Sequence, residues 1–192
     1  MRAILAVSIG KLLRFLVRLV RPGGGSALPG VVANKLDPQL LSNALSSLDL
    51  GLVVVSGSAG KSSTTSYLVN LLEAHGLRVF TNSSTANIRQ GLVAAVLNQG
   101  NWRGCLDSDI AVLEFDEGHG AVLAGELDVR LAVLTNVLSD QLDRFNDPDD
   151  VIEMLSKIGS AAKVVVLNTN DKNLAQLQFK APVVGFGLSS EL

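Results

Sequence analysis

A chain of 192 residues that is 47% hydrophobic and 18% charged, with a formal charge of -2, suits one compact α/β unit with a sizeable core. Only 4% of its residues are aromatic, and its slight acidity supplies neither the basic groove nor the stacking surface that nucleic acid requires. The single cysteine, Cys105, excludes an internal disulfide framework and a cysteine-rich zinc site, and fits a reducing cytoplasm.

The chain opens on a basic arm, since Arg2, Lys11, Arg14, Arg18 and Arg21 all precede the first acidic residue, Asp37. The cations interrupt the apolar run too often for a secretory signal or a membrane span. Lys11, Arg14, Arg18 and Arg21 recur at helical spacing, with Leu12, Leu13, Leu16, Leu19 and Val20 covering much of the remaining surface. Two placements follow for such a helix: docked on its own domain, the commoner one, or resting on an anionic membrane surface at the inner face of the membrane. The segment Arg21 to Gly30, RPGGGSALPG, is expected to be a turn-rich connector, and residues 1–50 form the arm preceding a domain over 51–192.

Leu52 to Val55 is uncharged and β-branched, as in a strand buried on both faces of a parallel sheet. Gly57, Ser58, Ala59, Gly60, Lys61, Ser62 and Ser63 follow at once, and the glycines let consecutive N–H groups turn inward on a polyphosphate. Lys61 supplies a point charge for the phosphates, and Ser62 places a hydroxyl for the Mg²⁺ that accompanies ATP. The pattern is the shorter GxxGKS, because Val55 stands where a further glycine is usual. A helix over Lys61–His75 with Gly76 as its cap completes the strand, loop and helix context.

Further strands are expected at Arg78–Thr81, Ile110–Phe115, Leu131–Leu134, Val164–Leu167 and Val183–Phe186. Helices are expected at Asn87–Asn98, Asp149–Ala161 and Asp171–Gln178, with a short one near Ala121–Leu127. The alternation predicts an α/β fold, a mostly parallel sheet with helices on both faces, whose ligand edge lies at the carboxyl ends of the strands. Two polar clusters fall on that edge. In Leu113 to Gly120, strand alternation separates Glu114 and Asp116 from Glu117, which leaves Glu114 as the carboxylate for Mg²⁺; the bland alternative is a solvated acidic loop. In Leu134 to Asp147, Thr135 and Asn136 could meet the phosphates or the ion, although capping loops share that composition. His75 and His119 lack metal-ligand spacing and are read as surface residues.

The runs SGSAGKSS, LEFDEG and NVLSDQLDRF, in this order and spacing, resemble the Mur ligase family of ATP-dependent amide-bond-forming enzymes. GGGSALPG after a basic helix, TNSSTANIRQG, and Gln141 in place of the histidine of the amino-acid-adding ligases are similar to the MurT-type branch. The resemblance implies a P-loop-type central domain over 51–192 and ATP-dependent amidation of the D-glutamate α-carboxylate of lipid II, with ammonia from a GatD-type glutaminase partner. It implies that Gly57 to Ser63 hold the phosphates and Glu114 the Mg²⁺, and that Leu167 to Asp171, with Asn168 and Asp171, lies near the nucleotide. The family's zinc ribbon and its C-terminal domain, which bears the catalytic aspartate and the glutaminase contacts, have no counterpart up to Leu192, so no catalytic residue is assigned. Two alternatives stand beside this reading. One is an amino-acid-adding Mur or folylpolyglutamate-type ligase, for which Lys157 lies in the region of the carbamylated lysine. The other is a nucleotide-binding scaffold subunit without turnover of its own.

Overall fold

In the computed structural model, which describes residues 2–20, 27–82, 88–138 and 148–188, six parallel strands form one sheet. They are β1 (Leu52–Ser56), β2 (Val79–Thr81), β3 (Ile110–Glu114), β4 (Val129–Leu134), β5 (Val164–Asn168) and β6 (Val183–Phe186), in the order β2-β3-β1-β4-β5-β6. The order puts β1 at the centre. Its own connection leads toward β2 on one side, while β4 leads on to β5 on the other, the arrangement that opens a crevice at the carboxyl ends of neighbouring strands. Register places Val55 beside Glu114 and Ser56 beside Leu134, so the ends of β1, β3 and β4 are level there.

The valine-rich strands pack on both sides because alternate side chains serve opposite faces. On one face Val55, Val112 and Val133 meet Leu68, Val69 and Leu72 of α4 (Lys61–Ala74). On the other, Leu52, Val54, Leu113, Leu134 and Val165 join the larger core. That core is closed by α5 (Arg89–Gln99), α6 (Glu117–Ala124) and α7 (Pro148–Ser160). At the sheet's end, Arg78 bonds the Asp109 carboxylate through its side chain and its backbone N–H (2.8 Å), tying the start of β2 to β3. The Arg78 hydrogen bonds hold the Asp109 carboxyl below its usual range. This contribution is therefore present above the ordinary carboxylate pKa and is lost as pH falls through the lowered one, and at such an exposed site it is weakened by salt.

The arm before β1 is more structured than a helix and a connector. α1 (Arg2–Val20) is followed by α2 (Leu28–Leu36) and α3 (Leu40–Ser46). Pro29 lies in the first turn of α2, where a missing N–H costs nothing, so residues that read as turn formers begin a helix. Ala6 and Val7 of α1, Ala33 of α2 and Leu40, Leu41 and Leu45 of α3 are buried against the domain, and Lys11 Nζ donates to Gly100 O at 2.7 Å. This is the docked arrangement for the basic helix. Arg21 and the glycines that follow it lie outside the described residues, as do Asn87, at the start of the helix expected over Asn87–Asn98, and Asp140, Gln141, Asp143 and Arg144.

Two other elements differ from expectation. The short helix near Ala121–Leu127 instead begins at Glu117, because Asp116 caps it by accepting from the His119 N–H at 3.3 Å. The helix over Asp171–Gln178 is reduced to a single 3₁₀ turn, Leu174–Gln176, since Asp171 Oδ1 accepts from Asn173 N and Leu174 N and turns the chain locally.

The contact between α2 and α5 is tight enough to test. A Cβ on Gly30 would overlap the carbonyl of Gln90 in α5 and approach Ala94 N to 3.1 Å. Gly30→Ala is expected to destabilise the fold by about 2 kcal/mol, measured by urea denaturation, because backbone must move to admit it. An unchanged midpoint would mean that α2 does not sit on α5 in solution.

Candidate functional site

β1 ends in a loop whose shape needs glycine at two points: Gly57 has φ +138° and Gly60 has φ +79°. At Gly57 a side chain is also excluded by its neighbours, since a Cβ would overlap Thr135 Oγ1 and lie 3.0 Å from Asn136 N. The loop is knitted to the residues after β4. Ser58 N donates to Asn136 O at 2.9 Å, and the Asn136 side chain holds Ala59 at both ends, accepting from its N–H at 2.8 Å and donating to its carbonyl at 3.0 Å. Thr135 Oγ1 donates to Ala59 O at 2.8 Å, and Leu138 N donates to Ser58 Oγ at 3.1 Å.

Asn168 and Asp171 support this arrangement one step further out. Asn168 Nδ2 donates to Thr135 O at 3.1 Å, and Asp171 Oδ2 accepts from Val137 N at 2.7 Å. Both side chains are engaged in holding the backbone that in turn holds the loop. The sequence placed them near the nucleotide; the structure shows that their hydrogen bonds go to the loop's scaffold.

Lys61 opens α4 and folds back over the loop. Its Nζ donates to the carbonyl of Gly57 and to Ser58 O at 3.3 Å, and it pairs with Glu117 Oε1 at 2.8 Å. Glu117 is fully buried, and its Oε2 has no hydrogen-bond partner among the described residues. The sequence reading set Glu117 apart from the other carboxylates by strand alternation. Because Asp116 starts a helix, Glu117 instead becomes the first residue of α6, a favourable position for an anion, and its carboxylate reaches the lysine of the loop. The signal was present as an Asp one residue ahead of Glu-Gly, an N-cap followed by a first-turn acid.

Ser62 and Glu114 line one cavity of about 370 Å³ between α4 and the ends of β2 and β3. Thr65, Ser66, Asn70, Thr81 and Asn82 complete its polar lining. Asn82 fixes the backbone at Glu114 from both sides, with Nδ2 donating to Glu114 O at 3.1 Å and Oδ1 accepting from Glu114 N at 2.9 Å; sequence reasoning missed it. The buried hydroxyls Thr65 Oγ1 and Thr81 Oγ1 lack partners among the described residues. An oxygen-lined space with one carboxylate, a serine hydroxyl and two unpaired hydroxyls fits a hydrated Mg²⁺, which keeps much of its water and needs few protein ligands. No group of three or more His, Cys, Asp or Glu able to hold a metal occurs among the described residues. Lys157 stands apart, paired on the exposed side of α7 with Glu153 at 2.7 Å.

The Mur ligase middle domain matches residues 55–192. The chain belongs to the Mur ligase family, whose members are ATP-dependent ligases. It is 29% identical over 192 residues to the MurT subunit of the glutamine-hydrolysing lipid II isoglutaminyl synthase of Staphylococcus aureus, covering 99% of this chain and 43% of that protein. To the MurT subunit of Streptococcus pneumoniae it is 31% identical over 177 residues, covering 90% of this chain and 38% of that one. The chain therefore spans well under half the length of these relatives. Among solved structures, the MurF ligase of Thermotoga maritima in complex with ADP superimposes with a TM-score of 0.65 and 26% identity, covering 83% of this chain and 36% of that one.

The Lys61–Glu117 pair gives the lysine a structural part in the loop. Lys61→Ala strands a buried carboxylate, and a loss of about 3 kcal/mol is expected in chemical denaturation. Combining Lys61→Met with Glu117→Gln should restore most of it, because the uncompensated charge goes as well. A Lys61→Ala protein as stable as wild type would show that the pair is not formed.

Proposed function

We propose that this chain is the ATP-binding part of a ligase subunit that converts the D-glutamate α-carboxylate of lipid II to D-isoglutamine, using ammonia from a GatD-type glutaminase. The observation that carries this reading is the extent of the likeness to the MurT subunits. It runs over nearly the whole chain, including the arm before residue 55 that the middle-domain match leaves out. Loop geometry supports the nucleotide half, and the likeness to an ADP-bound ligase agrees with it.

In this reading the loop of Gly57 to Ser63 receives the phosphates through N–H groups other than those of Ser58 and Ala59, which Asn136 holds, and Lys61 turns from Glu117 toward them. Ser62 and Glu114 hold Mg²⁺, which would neutralise charge on the phosphate oxygens. Asn136 keeps the loop in register, with Asn168 and Asp171 behind it. A carboxylate oxygen of the substrate attacks the γ-phosphorus, the bond to the bridging oxygen breaks, and ADP leaves with that electron pair. Ammonia then attacks the acyl phosphate carbon, phosphate departs and the nitrogen loses a proton, giving the amide. The step needs positioning and charge neutralisation more than a protein nucleophile. The acyl phosphate must also be kept from water, so we assign turnover to the whole subunit with its glutaminase, at the cytoplasmic face where the substrate's headgroup is reached.

Two measurements check this. In titration calorimetry with a nonhydrolysable ATP analogue, Glu114→Gln is expected to lose at least tenfold of the Mg²⁺-dependent gain in affinity, while Glu117→Gln loses less. The opposite ranking would move the ion to a different carboxylate. In a mass-spectrometric assay with lipid II, ATP, Mg²⁺ and ammonium, the 192-residue chain is expected to give no amide, and product should appear once the remainder of a MurT-type subunit is joined to it. Amide formed by the chain alone would overturn the division of labour, and absence of amide from the joined protein would overturn the proposed reaction.

A further inference from the structure

α1 has two apolar faces, and the domain covers one of them. Ala6, Val7 and Gly10 are buried, with Gly10 so near Leu97 of α5 that a Cβ would lie 2.6 Å from Leu97 Cδ1. At 100° per residue the opposite sector holds Ile4, Leu5, Leu12, Phe15, Leu16 and Leu19, each between 48% and 64% exposed. Single exposed leucines need no explanation, but six large apolar side chains along one side of a helix mark an interaction surface. Trp102, 63% exposed, has its ring 5.0 Å from Nζ of Lys11, a residue of α1.

Charge identifies the occupant. Of the sixteen Lys and Arg in the chain, six fall within residues 1–36, and all eighteen Asp and Glu come later. Lys11 is committed to Gly100 O and Trp102, but Arg2 and Lys35 are exposed, and residues 1–36 carry no Asp or Glu. An apolar strip on a helix whose segment, residues 1–36, carries only cationic charge matches the boundary of an anionic bilayer, where such a helix lies flat with its strip among the acyl chains. α1 is not long and apolar enough to cross a membrane. We propose that α1 holds the domain on an anionic membrane surface through Ile4, Leu5, Leu12, Phe15, Leu16 and Leu19. The proposal stands on α1 itself. The lipid-linked substrate inferred above supplies only its purpose, and the test needs neither nucleotide nor substrate.

The 192-residue chain would be sedimented with phosphatidylcholine vesicles and with vesicles that also contain phosphatidylglycerol, at low and high salt. Preferential binding to the anionic vesicles, weakened by salt, is expected. The triple variant Leu12→Glu, Phe15→Glu, Leu16→Glu should reduce the bound-to-free ratio at least tenfold with an unchanged thermal midpoint, because these side chains point away from the core. Absence of binding at low salt, equal binding to both vesicles, or undiminished binding by the triple variant would overturn the proposal. So would a dimer of the wild type that the triple variant abolishes in size-exclusion chromatography, since the strip would then be covered by a second copy.

Discussion

The site depends on one residue, Asn136, that fixes the loop at its middle by holding the N–H groups of Ser58 and Ala59. A polyphosphate cradle needs several backbone N–H groups aimed at one point, and a glycine-containing loop left to itself samples many other shapes. Asn136 closes both the donor and the acceptor of Ala59, and its own backbone carbonyl takes Ser58 N. The loop is thereby anchored at its middle to the end of β4. Thr135, Asn168 and Asp171 extend the bracing across to β5. The ends of three parallel strands thus act as one rigid mount, and this is why the ligand edge of such a sheet can be specific as well as open.

A second constraint is electrostatic. Glu117 is a buried carboxylate whose paired cation, among the described residues, is the lysine of the loop. A phosphate drawing Lys61 away leaves that carboxylate uncompensated, so the arriving anion competes with a resident one. The same pair keeps the lysine folded close to the loop carbonyls of Gly57 and Ser58, which limits the side-chain freedom lost when phosphate binds. Glu114, held by Asn82 through its backbone, keeps its carboxylate on the other side of the strand end, at the cavity shared with Ser62. Two acids three residues apart therefore face different surroundings, Glu114 the cavity and Glu117 the lysine of the loop.

Much of this was legible in the chain. The β-branched runs gave all six strands to within two residues at either end: inner strands such as β1 and β3, buried on both faces, admit little but small and branched apolar residues, while the exposed edge strand β6 was read from its β-branched and aromatic residues. Gly57 and Gly60 announced the loop because the required backbone angles exclude other residues. What escaped were local competitions. Pro29 and Gly30 read as a connector, although a proline in the first turn and a glycine at a tight crossing with α5 are both compatible with a helix. Glu117 was misplaced by extending strand alternation past the residue where Asp116 had already capped a helix. Asn82 could not be found at all, since its role rests on a contact thirty-two residues away in sequence.

The central claim is that the loop from Gly57 to Ser63 receives the phosphates of ATP. The most direct measurement is a crystal structure of this chain with a nonhydrolysable ATP analogue and Mn²⁺ in place of Mg²⁺, using the metal's anomalous signal. The account predicts phosphate density against the loop N–H groups, Lys61 withdrawn from Glu117, and the anomalous peak in the cavity of Ser62 and Glu114. Nucleotide density elsewhere on the sheet, with the Lys61–Glu117 pair intact, would contradict it.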